Sequence, residues 1–305
     1  MFQCVLLPSK KKNLPKFDKG TGLTATMIIS MVVWGVSWPS NKVLASFGSP
    51  VNLGLFRYSF VIISLLILLL ILKTKLTISQ KGIPILLISG TLMATYNYTF
   101  LAGLKNGSPG AGGILVTTLN PVIVYGLGML VDWKKPTRNE SIGLVFGIIA
   151  GLILLKVWGN EDIFAKPGNL YFLLSALIWS VMSKFTSKSA KYGSPFAFTW
   201  WMYFVTLLCI IPLCSFTEIN KLIQSTDIHF WGNVLFSSVI TTTLATTTYF
   251  FATSKIGAEK ASSFIFIVPF SAAIFSFAIL GEKLEINTIT GGLLGIAAVY
   301  MINKK

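Results

Sequence analysis

"FGSPVNLGLFRYSF" (residues 47–60) and "YGSPFAFTWWMYF" (192–204) open on one phrase, an aromatic residue followed by Gly-Ser-Pro, 145 residues apart. The match continues outward from both. Trp34 and Trp179 share the 145-residue offset, as do Tyr58 and Tyr203. "YTFLAGLKNG" (98–107) faces "TYFFATSKIG" (248–257) at an offset of 150, with Lys105 over Lys255 and Gly107 over Gly257. Pro121 and Pro269, Gly143 and Gly291, and Gly147 and Gly295 are each 148 apart. An ordered series with so little drift marks an internal repeat, which bears on the whole fold.

The repeat is written in apolar sequence. The 305 residues are 53% hydrophobic and 11% charged, where a soluble protein carries about 25% charged residues. Ten stretches have the length that crosses a hydrocarbon core of about 30 Å: 23–44, 51–72, 83–104, 110–131, 139–158, 167–185, 195–216, 231–252, 261–280 and 286–302. Each repeat therefore holds five helices, an odd number, so the second copy enters the membrane from the opposite side. The expected fold is an all-α integral membrane protein, ten transmembrane helices as an inverted five-plus-five repeat. A basic tail (1–20) precedes a first repeat (21–158) and a second (167–303). Inverted repeats characterise transporters, whose site lies near the midplane between the halves.

The net charge of +15 does not point to nucleic acid. With the tail "SKKKNLPKFDKG" in the cytoplasm, cytoplasmic segments hold about three times the Lys and Arg of the opposite loops, the bias that sets helix orientation. Both termini are expected in the cytoplasm and the protein in the cell's inner membrane. Cys4, Cys209 and Cys214 form no disulfide framework, and the single histidine, His229, has no ligand-like neighbours, so neither a metal nor a cofactor is expected. The expected partners are a small-molecule substrate and the lipid bilayer.

The chain resembles the drug/metabolite transporter superfamily, specifically its EamA-like members with two EamA domains, over residues 22 to 303. The resemblance is carried by "WGVSWPSNK" in helix one, "SPVNLGLFRY" entering helix two, and "TTLNPVIVYGLGML" in helix four. A long run across helices nine and ten, "ASSFIFIVPFSAAIFSFAILGEKLEINTITGGLLGIAAVYMI", adds to it. It implies ten helices and the carriage of small metabolites, often amino acids and often outward. The sequence departs from the family at one point: Glu282 follows Pro269 by 13 residues, but its counterpart in the first copy is Lys134.

Individual residues mark a candidate site. Arg57 is the only arginine inside a helix, and intramembrane charges are expensive and default to functional candidates. Either it snorkels to the headgroups or it offers a bidentate partner to a carboxylate; its counterpart, Met202, is neutral. Trp34 and Trp38 share a face of helix one and Trp179 matches Trp34 in helix six, as belt residues or as cavity walls. Thr91, Thr95 and Tyr98 with adjacent Asn97 in helix three, and the hydroxyl run 237–248 including Thr247 in helix eight, suggest a wet lining. Pro121 and Pro269 interrupt corresponding helices and would free the carbonyls of Thr117 and Ile265, with Asn120 at the same depth. Gly143, Gly147, Gly151, Gly291 and Gly295 are packing ridges. They suit neighbouring helices or, through helices five and ten, a homodimer.

These features lead to a transporter working by alternating access; the resemblance implies an exporter of small organic metabolites, amino acids foremost. A drug or nucleotide-sugar carrier is the alternative within transport; a membrane-embedded enzyme or scaffold is the alternative outside it. All ten acidic residues fall in the tail, loops or helix ends. Movement down the substrate's own gradient, or exchange, is therefore expected rather than proton coupling.

Overall fold

The computed structural model describes residues 19–158, 167–280 and 286–304. The tail through residue 18, the 159–166 connection with Glu161 and Asp162, and the 281–285 segment with Glu282 and Glu285 lie outside the described residues. Among the described residues, ten helices are long and apolar enough to cross a membrane: α1 (Gly22–Ala45), α2 (Pro50–Ile71), α3 (Gln80–Asn106), α4 (Pro109–Val131), α5 (Arg138–Leu155), α6 (Pro167–Lys191), α7 (Pro195–Leu213), α8 (Ile228–Ile256), α9 (Ala258–Phe275) and α10 (Ile286–Asn303). Ten crossings put the start of α1 and the end of α10 on one face, here called the terminal face.

Local chemistry sets the helix starts. Ser49-Pro50, Ser108-Pro109 and Ser194-Pro195 each place a serine at the cap and a proline in the first turn. Proline fits there because its fixed φ suits the helix and its missing N–H has no intrahelical partner anyway. The Ser49 and Ser108 hydroxyls accept from the backbone N–H groups of Asn52 and Ala111. In α5, Thr137 and Glu140 form a reciprocal capping box, satisfying two orphan donors at once.

The chain is sorted as a membrane protein is. Ile29, Ile63, Leu70, Leu174 and Leu293 face outward, more than two-fifths exposed, while Ser175, Ser180, Ser183, Thr206 and Asn120 are fully buried. Most interior hydroxyls donate to carbonyls one turn back, as Ser180 does to Ala176 and Ser183 to Trp179. Hydrocarbon offers backbone and side-chain groups no alternative partner.

Contacts follow the repeat. α3 packs on α6 and α7 as α8 packs on α1 and α2, while α2 meets α7 and α5 meets α10. Repeat-matched residues also touch each other, as they do beside a two-fold axis. Trp34 meets Trp179 edge to face with ring centroids 5.2 Å apart, and Tyr58 meets Tyr203 at 5.7 Å.

The glycine ridges are occupied within the chain. Gly143 lies under Ala298 and Ile302, Gly291 under Ala150 and Leu154, Gly147 and Gly295 against Phe266, and Gly151 against Thr118. A homodimer through α5 and α10 would therefore have to use their other faces.

Three features depart from the sequence expectations. A short amphipathic helix, Phe216–Ile223, follows α7 and ends the apolar span three residues early. α8 contains a π-helix over Phe236–Thr246, where hydroxyls reach carbonyls five residues back: Thr242 to Ser237, Thr246 to Thr241 and Thr247 to Thr242. The paired prolines are not paired in effect. α4 runs through Pro121, whereas α9 tightens into a 3-10 stretch over Phe264–Ile267 just before Pro269. Threonine-rich, β-branched sequence carries no hydrophobic-period signal for a π-helix.

Candidate functional site

A cavity lies where the repeats meet, walled by α1, α2, α3, α4, α6, α8 and α9. α1 presents Trp34, Ser37, Trp38 and Asn41, spaced three and four apart and so on one helical face. α3 adds Met93, Tyr96 and Phe100 by the same spacing; α4 adds Thr117 and Asn120, α6 Trp179, and α8 Thr241, Thr242 and Thr246. Aromatic rings and small polar groups share the walls, the rings being Trp34, Trp38, Tyr58, Tyr96, Phe100 and Trp179. Trp179 packs against Tyr96 at 4.7 Å and Phe250 at 5.4 Å, and Trp38 against Phe100 at 5.0 Å. Each such pair contributes about 0.5–1.5 kcal/mol beyond area burial, so the walls hold their shape. The cavity volume is only about 60 Å³, room for a few waters, so a metabolite enters only after the helices part.

Arg57 lies in this cavity and is buried at 7% exposure. It does not snorkel. Its Nη1 donates to Asn97 Oδ1 at 2.9 Å and its Nη2 lies 3.4 Å from Thr242 Oγ1, while Nε has no partner. Asn97 is itself pinned, donating through Nδ2 to the Pro50 carbonyl. Gly54 makes this possible, because a side chain there would collide with the Asn97 amide.

The residues singled out in the sequence divide. Trp34, Trp38, Arg57, Thr117, Asn120 and Trp179 line the cavity, with Asn97 just behind Arg57. Trp34 Nε1 donates to Thr246 Oγ1 at 3.1 Å, a bond between the two repeats. Asn120 Nδ2 donates to Ser180 Oγ at 2.9 Å. Thr247 is buried one residue beyond the lining, donating to the Thr242 carbonyl. Tyr98 is 43% exposed and shares an outward groove with Thr91, Thr95 and Cys209. The polar stripe of α3 thus faces away from the cavity, and its aromatic stripe faces in. Trp200 of α7 donates to the Ile62 carbonyl of α2. The sequence reading did not single out Ser37, Asn41 or Tyr96; Ser37 lies three residues from Trp34, and Asn41 three from Trp38 and seven from Trp34, whereas no flagged lining residue stands at helical spacing from Tyr96.

Each face is tied across the repeats. At the terminal face Lys184 of α6 pairs with Asp132, which caps α4, and at 2.6 Å with Glu259 of α9. The hydrogen bond from Lys184, helped by the charges of Lys134 and Lys188, holds the Asp132 carboxyl below the usual range despite some burial. At the opposite face Glu218 accepts from the Ser49 backbone N–H and at 2.6 Å from Asn52 Nδ2. Burial pushes Glu218 upward, but these donors outweigh it and the carboxyl sits below its ordinary value.

The EamA-like transporter family model matches residues 23–156 and 166–304. The uncharacterized transporters YyaM and YvbV of Bacillus subtilis are 23% and 26% identical to the chain. The first match covers 87% of this chain and 88% of YyaM, the second 96% and 94% of YvbV. A WAT1-related chloroplastic protein of Arabidopsis thaliana is 25% identical over 93% of this chain and 70% of its own. A crystal structure of a protein 12% identical superposes with a TM-score of 0.70, covering 93% of this chain and 96% of that one, which shows a shared fold. With ten spans, two matched repeats and a family model over both, the chain is an integral membrane protein and belongs to the EamA-like transporter family.

Proposed function

We propose that the protein carries small organic metabolites bearing a carboxylate, amino acids and related compounds among them, outward across the cell's inner membrane by alternating access. Both termini then face the cytoplasm. The observation that carries this reading is Arg57: a buried guanidinium facing an aromatic cavity on the boundary between the repeats. A fixed cation there supplies what a carboxylate loses on leaving water, and a guanidinium does so with direction. The two cross-repeat ties give the alternation its parts. Opening either face requires one tie to break while the other holds.

Among the described residues, every carboxylate lies at a helix end or in a connection, away from the cavity. Without a titratable switch beside the substrate, transport runs down the substrate's own gradient or by exchange. The test compares metabolites retained by cells with and without the protein, then follows the strongest candidate in proteoliposomes. We expect the compound redistributed unchanged, with counterflow needing no imposed ion gradient. Chemical conversion of the compound, or an absolute need for a proton gradient, would overturn the proposal. For orientation, cysteines placed near Lys75 should label only from the cytoplasm and those near Asp227 only from outside.

A further inference from the structure

The charge inventory of the cavity narrows its substrate. Arg57 supplies one formal charge, and the rest of the lining is aromatic, aliphatic, hydroxyl or amide. Among the described residues no carboxylate lines the cavity, and the ion pairs of Lys184 lie at the terminal face. The cavity also holds polar atoms without partners: Arg57 Nε, Asn41 Oδ1, Asn120 Oδ1 and Thr241 Oγ1. Asn41 and Asn120 are 1% and 0% exposed. Buried polar groups are normally satisfied, so exceptions call for an explanation. An incoming ligand supplies one here.

From this inventory we infer that the cavity takes a monoanion: a flat organic acid whose carboxylate neutralises Arg57 and whose body carries an uncharged hydrogen-bond donor for an asparagine carbonyl. The inference rests on the transporter reading and narrows it, against amino acids themselves. A carboxylate on Arg57 makes a neutral pair inside the protein, which low-dielectric surroundings favour over any net charge. An amino acid adds an ammonium. That group must leave water for a chamber with no carboxylate to meet it, and the complex keeps a net charge of +1. Amide carbonyls and ring faces compensate part of that loss, but they are better matched by a hydroxyl or a ring N–H, which brings no charge. The ring faces of Trp38 and Tyr96 among the lining residues offer a flat body surfaces to stack on once the helices part.

The test uses purified full-length protein and titration calorimetry with three probes that share a phenyl ring and chain: phenylpropionate (a monoanion), phenylalanine (a zwitterion) and phenethylamine (a cation). We expect phenylpropionate to bind at least tenfold more tightly than phenylalanine, and phenethylamine not at all. In Arg57→Gln the preference for phenylpropionate should disappear. Arg57→Lys, which keeps the charge and loses the planar fork, should keep the preference with weaker binding, and it serves if the glutamine variant does not fold. Equal or tighter binding of phenylalanine, a preference that survives Arg57→Gln, or no binding of any probe would each overturn the inference. Counterflow separates the two proposals. Binding with this preference but no counterflow of phenylpropionate in proteoliposomes sinks the transport reading and leaves the site standing. Counterflow of phenylalanine without any preference for the acid does the reverse.

Discussion

Lys42 and Lys184 stand in the last turns of α1 and α6, the first helices of the two repeats. Each reaches the hairpin made by the third and fourth helices of its own repeat. There the likeness ends. Lys42 donates to the backbone carbonyls of Leu104 and Gly107, at 2.6 and 2.9 Å, and stays within its repeat. Lys184 meets two carboxylates, one of them Asp132 from the other repeat. One lysine is a strut inside a half, and the other is a latch between halves. A two-fold backbone can therefore carry one-sided chemistry. The terminal face closes by an ion pair, and the opposite face closes by Glu218 on the neutral donors of Ser49 and Asn52.

The largest effect should come from Lys184→Met, which removes the cation and leaves Asp132 and Glu259 facing each other. Hydrogen bonds to charged groups contribute about 1.5–3 kcal/mol each, so opening toward the terminal face should rise at least about tenfold. A Ser37→Cys probe on a background lacking native cysteines measures this as faster alkylation from that face. An unchanged rate would show that the latch does not hold the gate. Next comes Glu218→Gln, which keeps one acceptor and removes the charge. One charge-assisted bond is lost and the other becomes neutral, so labelling from the opposite face should rise by about tenfold, less than when both bonds of Lys184 go.

The pH behaviour sharpens the same contrast. Asp132 and Glu218 both titrate below their ordinary values when tied. Their contributions are fully present above the ordinary carboxylate range and are lost as pH falls through the depressed values. Acid should loosen both faces in the wild type, and Glu218→Gln should remove the response at the opposite face only. The smallest change in access should follow Lys42→Met. It lowers thermal stability by weakening one half, with the ratio of labelling from the two faces unaltered. A shift in that ratio would erase the distinction between strut and latch.

The ten spans and the two-fold relation were legible because length, apolarity and odd helix count are properties of the chain itself. Arg57, Trp34 and Trp179 stood out for related reasons: a charge where charge is costly, and two large rings at one repeat offset. The facing of α3 was not legible. Thr91, Thr95 and Tyr98 form a consistent polar stripe, yet threonines bonded to their own helix carbonyls tolerate an outward face. Nothing local told that stripe from the one bearing Tyr96. The partners of Lys184 could not be read either. Asp132 and Glu259 are 52 and 75 residues from it, and only the folded packing of α4, α6 and α9 brings them together.

The π-helical stretch of α8 is a store of slack. Its threonines hold both ends of the site, Thr242 at the Arg57 guanidinium and Thr246 at the Trp34 ring nitrogen. In ordinary α-helix the residues of a turn are committed to partners four back, and the helix moves as a rod. Here the partner is five back, so one turn carries a residue more than it needs, an arrangement often found at functional sites. Passing that spare residue along the stretch would rotate Thr242 and Thr246 relative to each other while Ile228 and Ile256 stay where they are. Such a shift would alter the contact to Arg57 without an equal change in the contact to Trp34, as a belt slips on one pulley without stopping the next.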